Sequence, residues 1–420
     1  MGASTIKIPA SLPDKSLPDF FKGWRWIRQA TDRVTFDFRG VDFLAPWAVT
    51  LFATYMLWLR EKRGAQVEVV HDDATFLARY LTRCGFFDLF DPKAPVEDPR
   101  ADSDVTGRLT RIQQSRDIPK FAGDVMTMLA IGDEDLEGAV KYSLVELLRN
   151  VVQHSRSPVG GTALAQYFPS TGLVEVAVAD FGIGVAQALR PRYEDLDSDL
   201  KALKFSLLPH VSGTFGRSEY GSMQDNAGLG LFFIKEIATR ASGGFHLGSG
   251  AALVNLWGNQ DGSPGRKYLA SPVGGWPGTF AVLQLRKKSI ERFESLLQVC
   301  RDLAAEARKD PQTVNLDFVD EVPEIDGLNV VTVKEFEEDV ERAAEIRDTR
   351  IIPALDAGQL VVLDFRGVPF ATQSFVHALL YKVLRDHPLS RACLSVAGCS
   401  PSSREAVRAV AAYATLEKPS

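Results

Sequence analysis

Three groups of residues in the middle of the chain have types and spacings that suit nucleotide chemistry. The first is Leu144-Val145-Glu146-Leu147-Leu148-Arg149-Asn150-Val151-Val152-Gln153-His154. On a helix, Leu144, Leu147, Leu148 and Val151 share one side, and Glu146, Asn150 and His154 line a neighbouring stripe. A carboxylate and an amide one turn apart can hold a water and a magnesium ion together, because Mg²⁺ takes a few hard oxygen ligands and keeps its waters. A polar stripe facing solvent would use the same residues. The second group is Val174-Glu175-Val176-Ala177-Val178-Ala179-Asp180-Phe181-Gly182-Ile183-Gly184. An alternating strand delivers Asp180 to its end, where its carboxylate can accept a hydrogen bond from an exocyclic amine such as adenine N6. Gly182 and Gly184 let the backbone approach a flat ring, although a plain turn uses the same residues. The third group, Asn226-Ala227-Gly228-Leu229-Gly230-Leu231-Phe232-Phe233-Ile234-Lys235, is a Gly-rich loop that opens an apolar helix, whose free N–H groups suit phosphate. It lacks the G-x-G-x-x-G spacing after a strand, and no Walker A run is present.

In this order the three groups resemble the GHKL ATPase superfamily of gyrase, the heat-shock chaperone, histidine kinases and mismatch-repair ATPases. Glu146 and Asn150 resemble its N box, Asp180 to Gly184 its G1 box, and Gly228 to Leu231 its G2 box. Pro277-Gly278-Thr279-Phe280 looks like the Gly-Thr that closes the site on a final strand. The resemblance implies ATP and Mg²⁺ as cofactors. Asn150 would ligate the metal, Asp180 would bind adenine with support from Thr279, and Gly182, Gly184, Gly228, Leu229, Gly230 and Leu231 would wrap the nucleotide. Glu146 would be the catalytic residue, activating water in a hydrolase or assisting phosphoryl transfer in a kinase. Residues 185–227 would be a mobile ATP lid with Gly213, Gly216 and Gly221 as hinges, since so long a loop is otherwise hard to place in a compact domain. None of His71, His210, His246, His377 or His387 precedes a Glu in a helical hairpin, so an ordinary two-component sensor is disfavoured. His154 belongs to the N box.

The elements on either side repeat one another. Val34 to Val41 alternates as a strand ending in a Gly turn, Ala48 to Leu59 is an apolar helix, Val67 to Val70 a strand, and Phe76 to Cys84 a helix stopped at Gly85. That pattern predicts a small α/β unit. Near the other end, Leu360 to Val368 reads as a strand and turn, and Thr372 to Leu384 as a helix. Asp-Phe-Arg-Gly-Val occurs at 37–41 and again at 364–368, each time with a Phe two residues later (Phe43, Phe370), which reads as an internal duplication. Residues 91–105, rich in Pro and Asp, look like a linker, and Asp317 to Asp339 like an exposed connection or helix face. Both end units are similar to STAS-like domains, the fold of anti-sigma factor antagonists. In that family a small kinase of GHKL type phosphorylates a Ser at the start of the helix after such a strand. Thr372 and Ser374 stand there in the C-terminal copy, but the usual Asp-Ser-Ser-Gly is missing, and Ser374 would also serve as a helix N-cap. The N-terminal copy has Ala45-Pro46-Trp47-Ala48 and no hydroxyl.

The bulk properties fit a regulator inside the cell. The 420 residues are too many for one ordinary core. A net charge of −6 offers no basic field for nucleic acid, and runs such as Arg60-Glu61-Lys62-Arg63 and Arg286-Lys287-Lys288 read as solvated element ends. No apolar run reaches the ~18 residues of a membrane helix, Ala45 to Leu59 being too short, and no secretory start is visible. Cys84, Cys300, Cys393 and Cys399 lack metal spacing and read as reduced thiols of a cytoplasmic protein.

The expected fold is α/β. A central GHKL sandwich over 120–290, with a mixed sheet covered by helices on one face, would sit between a STAS-like unit at 1–95, a linker at 96–119, and a helical connection plus STAS-like unit at 291–420. The expected function is an ATP- and Mg²⁺-binding regulator, possible as a homodimer, whose nucleotide state or Ser/Thr-kinase-like activity switches a protein partner. The rivals are an ATP-hydrolysing GHKL dimer acting as a clamp or in defence, and a nucleotide-dependent scaffold.

Overall fold

The computed structural model describes residues 3–25, 32–90, 106–129, 132–191, 193, 196–209, 211, 229–259, 264–271, 275–309, 316–325, 327–386 and 393–416. The N-terminal unit runs β1 (Ala3–Lys7), β2 (Ser11–Leu12), α1 (Leu17–Gly23), β3 (Arg33–Asp37), β4 (Phe43–Leu44), α2 (Pro46–Glu61), β5 (Gln66–Val70) and α3 (Phe76–Arg83). β1, β3 and β5 pair in that order, all parallel. Pro46 opens α2, where its fixed φ suits the first helical turn. Every residue of α2 from Pro46 to Leu57 is buried. A helix apolar all round must be covered all round, and the second cover comes from the central sheet.

The central unit continues with β6 (Thr110–Ile112), α4 (Asp117–Met128), α5 (Glu134–His154), β7 (Gly161–Phe168), β8 (Leu173–Asp180), α6 (Gly184–Leu189), α7 (Asp199–Ser206), α8 (Gly230–Arg240), β9 (Gly244–Gly250), β10 (Ala252–Gly258), β11 (Pro264–Ala270) and β12 (Trp276–Arg286). The seven strands are ordered β11-β10-β9-β12-β8-β7-β6. Each neighbour pairing is antiparallel, where a mixed sheet was expected. Short hairpins joining β7 to β8, β9 to β10 and β10 to β11 account for much of this, since a tight connection reverses the chain.

The sheet is also covered on both faces rather than one. In β8 the even residues Val174, Val176 and Val178 join the core made with α4, α5 and α8. The odd residues Ala177 and Ala179, with Phe181 just beyond, join a second core with α2. A strand buried on both sides reads as a continuous apolar run, and β8 does so up to its terminal Asp180 apart from Glu175. That carboxyl accepts from the Trp47 N–H (3.3 Å) and the Gln284 side-chain amide (3.0 Å). Burial pushes its pKa far up, and the neighbouring Asp14 adds to the shift.

Two expected boundaries move. Thr110–Ile112, inside the stretch taken as a linker, is an edge strand on β7, and Thr106 bridges Gln166. Residues 91–105 lie outside the described residues. Beyond residue 290, α9 (Phe293–Lys309) still belongs to the central core through Leu297, Cys300 and Ala304.

The C-terminal unit then runs β13 (Asp317–Val319), β14 (Asn329–Thr332), α10 (Val340–Ile346), α11 (Ile352–Asp356), β15 (Val361–Asp364), α12 (Gln373–Val376), α13 (Lys382–Asp386), β16 (Leu394–Ala397) and α14 (Pro401–Leu416). π-helical turns at Arg347–Ile351 and His377–Tyr381 join α10 to α11 and α12 to α13. The parallel sheet has the order β13-β16-β15-β14. The acidic stretch is therefore not an exposed connection throughout. It contains β13 and β14, and Asp317 is buried.

β14-β15-β16 repeats β1-β3-β5 in order and direction. The repeated string has the same structure in both places. Asp37 and Asp364 each accept from the Arg two residues on, Arg39 and Arg366, at 2.9 Å through Nε. Phe38 N–H reaches Val70 O and Phe365 N–H reaches Ala397 O, both at 2.8 Å. Gly40 and Gly367 take φ of +76° and +79°, a left-handed turn that only glycine adopts without strain. Phe43 and Phe370 are both exposed.

Candidate functional site

β8 delivers Asp180 between two partners, since it pairs with Gly161 of β7 and the strand's other edge carries β12. Asp180 Oδ1 accepts the N–H of Gly182 at 2.8 Å and of Thr279 at 3.3 Å. Its main-chain carbonyl accepts the Trp276 indole N–H at 2.7 Å. The side chain is buried at 4% exposure. Burial pushes the carboxyl up to about 7 against the pull of those two backbone donors. Among the described residues Oδ2 receives no hydrogen bond, which leaves a buried acceptor with one oxygen committed.

Three glycines let the chain close tightly around this corner. A Cβ on Gly278 would lie 2.6 Å from both Asp180 Oδ1 and Gly182 N, and one on Gly182 would collide with the Ser155 carbonyl. Gly184 has φ +74°, and a Cβ there would lie 2.7 Å from Ser249 Oγ. Ser249 ties the corner together, donating to Gly278 O at 2.8 Å and accepting the Val185 N–H at 2.9 Å. Ser155, which closes α5, accepts the Ile183 N–H at 2.9 Å, so the helix carrying Glu146 and Asn150 is joined to the turn after Asp180.

Glu146 lies against the start of α8. A Cβ on Gly230 would approach Glu146 Oε2 to 2.7 Å, and Arg149 pairs with Glu146 Oε1 at 2.6 Å. Asn150 is half-buried one turn on, with no side-chain hydrogen bond among the described residues. Burial lowers the His154 pKa, which favours a neutral ring. Leu229 is buried at the head of α8 and Leu231 half-buried, while Gly228 lies outside the described residues. So do Gly213, Gly216 and Gly221. The first part of the expected lid is helical: α6 and α7 occupy it, and α7 is packed down on both sides. Its Asp199 carboxylate accepts the Ala251 N–H at 2.8 Å, and Lys204 donates to Ser395 of β16 at 2.8 Å.

The structure thus gathers Asp180, Gly182, Gly184 and Thr279 into one hydrogen-bonded corner, places Glu146 beside Gly230, and links the two through Ser155. The residue chemistry fits a nucleotide: a fixed carboxylate with one oxygen uncommitted, and the start of a helix nearby. Among the described residues no three His, Cys, Asp or Glu side chains cluster to hold a metal alone. A magnesium ion at Asn150 would take its other ligands from phosphate and water. Sequence reasoning missed Ser155, Ser249 and Trp276. Gly248-Ser249-Gly250 was a signal for Ser249, because a hydroxyl between two glycines suits close backbone contact.

At the C-terminal candidate position the cap is Thr372, not Ser374. Thr372 Oγ accepts the Phe375 N–H at 3.3 Å and donates to Glu338 at 2.6 Å, and its own N–H reaches the other Glu338 oxygen at 2.8 Å. Ser374 is exposed within α12.

A family model described as a STAS-like domain of unknown function (DUF4325) matches residues 342–404, which take in β15, β16 and the helices around them. Residues 342–404 form a STAS-like domain. No curated protein and no solved structure matches the chain. It is the STAS-like domain, through Ser395, that holds Lys204 of α7. Among the described residues no helix is long and apolar enough to cross a membrane.

Proposed function

We propose that this chain is an ATP- and magnesium-binding regulator of GHKL type, in which nucleotide state changes how a protein partner is engaged. The observation that carries the reading is the Asp180 carboxylate, buried and gripped by the Gly182 and Thr279 N–H groups with its second oxygen uncommitted. That oxygen is the acceptor for the adenine amino group, and the two N–H groups fix its direction. Bound Mg·ATP supplies a transferable phosphoryl group together with the metal charge that neutralises it. Asn150 offers the metal an amide oxygen. Glu146, held by Arg149 at the head of α8, is the carboxylate that orients the attacking group. The contact of α7 with the STAS-like domain supports a switching role, because a segment beside the nucleotide then also touches a protein-like module.

The test is incubation of the full chain with Mg²⁺ and γ-labelled ATP, following free phosphate and label on protein. Label on Ser374 or Thr372 that disappears on mutation to Ala identifies a kinase. Phosphate release that rises steeply with protein concentration and vanishes in Glu146→Ala identifies a dimeric ATPase. Binding with neither signal identifies a nucleotide-dependent scaffold. Asp180→Asn replaces a charged acceptor by an amide and is expected to weaken ATP binding roughly tenfold or more. Equal binding by wild type, Asp180→Asn and Asn150→Ala, or no binding at all, sinks the site.

A further inference from the structure

The N-terminal unit reaches the Asp180 corner from behind the sheet. The ring of Phe181, the residue after Asp180, is 5% exposed. It sits among Trp58 (centroids 4.7 Å apart), Tyr55 (5.7 Å) and Trp276 (5.0 Å, interplanar angle 88°). Trp58 and Tyr55 belong to α2. Trp276 belongs to β12 and is the same indole that donates to the Asp180 carbonyl. The residue before Asp180 is covered as well: Ala179 is buried, and Thr54 Oγ of α2 lies 3.4 Å from its carbonyl oxygen. The contact is pinned by a buried Thr54–Thr162 hydroxyl pair at 2.6 Å and by Thr162 donating to Thr50 O at 3.1 Å. Asp180 is therefore fixed through both of its chain neighbours by a helix of a different unit. Gly182, which supplies one of the two N–H donors to the carboxylate, follows Phe181 directly.

We propose that Trp58 and Tyr55 are positioning residues of the nucleotide site, holding the Phe181 ring so that Asp180 stays aimed and shielded from water, and that the N-terminal unit is thereby an obligate part of that site. The proposal rests on Asp180 as the adenine acceptor. A turn joining a strand to a short helix has little to fix it besides its own hydrogen bonds. An aromatic ring clamped on three sides supplies the missing constraint, because rotating Phe181 would carry Asp180 and Gly182 with it. Rings in edge and tilted contact attract beyond simple burial, which selects one rotamer and one loop position.

The closing experiment titrates the full chain with a fluorescent ADP analogue and Mg²⁺ between about pH 5 and pH 9, a range that brackets carboxylate and shifted-carboxylate titrations. The adenine amine donates to a carboxylate, so wild-type affinity rises with pH and levels off above a midpoint near 7, the value to which burial pushes Asp180. Among the described residues no charged side chain pairs with Asp180, so water access governs that midpoint. In Trp58→Ala and Trp58→Leu the loosened Phe181 admits water. The midpoint moves toward the ordinary Asp value of about 4, and affinity above pH 8 falls roughly tenfold, the scale of losing one well-aimed charged hydrogen bond. Trp58→Phe restores both. Trp58→Leu keeps an apolar side chain without the aromatic ring and serves where the alanine variant does not fold. A uniform loss of affinity at all pH values with an unmoved midpoint, or unchanged binding in the leucine variant, overturns the proposal. Failure of the wild type to bind overturns the nucleotide reading itself, and is seen before any variant is made.

Discussion

At the scale of single residues the candidate site is a matter of what is missing. Gly278, Gly182 and Gly184 let neighbouring chain atoms close in around Asp180 where any side chain would collide. Gly278 is the sharpest case. A Cβ there meets the Asp180 carbonyl, a pinned carboxylate oxygen and the Gly182 nitrogen, and none of these can swing aside. Gly278→Ala is expected to cost about 1–3 kcal/mol, as overpacking in a tight interior does, and to abolish nucleotide binding. Chemical denaturation and a nucleotide titration measure the two effects. Gly230→Ala meets the flexible Glu146 side chain rather than backbone, so it should weaken binding less than Gly278→Ala and lower turnover as well. Equal effects of the two substitutions would contradict the proposed division of the site into a binding corner and a carboxylate that serves turnover.

At the scale of elements the repeated Asp-Phe-Arg-Gly-Val string explains itself. The Arg39 guanidinium beside Asp37 holds that carboxyl low, at about 2. At Asp364 burial works the other way, and Arg366 outweighs it. Each Phe that follows is buried, and each Gly turns the chain back over it. No atom comes within 4 Å of a Cβ placed on Gly40 or Gly367, so alanine at either position tests backbone strain alone. Gly40→Ala and Gly367→Ala should each cost about 1–2 kcal/mol, the penalty of a left-handed L-residue, and by nearly the same amount. Unequal losses read by urea denaturation would show that the two copies do not share the turn's mechanics.

At the scale of the whole molecule the central sheet is held from both sides, by α2 on one face and by α4, α5 and α8 on the other, and it is tied at one edge to the STAS-like domain. That tie is a buried charge cluster. Asp317 pairs with Lys204 of α7 at 3.2 Å and with Arg266 of β11, accepts from the Tyr268 hydroxyl, and receives Ser395 Oγ at 3.3 Å. Burial alone would raise the Asp317 carboxyl, but Lys204 and Arg266 outweigh it and hold it well below the usual carboxylate range. A depressed folded pKa contributes stability above the unfolded value near 4, lost as pH falls below it. Asp317→Ala strands a buried lysine and a partly buried arginine and should destabilise the chain by about 3–5 kcal/mol. It should also speed proteolysis between the central unit and the STAS-like domain. Lys204→Met together with Asp317→Ala should cost less than the two single losses combined, because partners in one network couple. Additive losses would mean that α7 and β13 of the C-terminal unit are not energetically linked.

The sequence by itself determined most of the elements. That Glu146 and Asn150 share a helix was legible from spacing, that Asp180 ends a strand from its run into glycines, and the likeness of the end units from a repeated string, because each signal lies within one stretch of chain. The α2 helix was legible too, as an apolar run without a wet face, and that run already required cover on every side. What provides the cover depends on contacts between residues more than a hundred positions apart, such as Thr54 with Thr162. The same holds for Ser155, Ser249 and Trp276, ordinary residues whose roles come from where the fold puts them, and for Asp317, which composition assigned to an exposed stretch. A charge is stable in the interior only with partners, and Lys204, Arg266 and Asp317 come from three elements. Only the tertiary structure decided that the N-terminal unit backs the Asp180 corner and that the STAS-like domain holds α7, since packing, not periodicity, selects which faces meet.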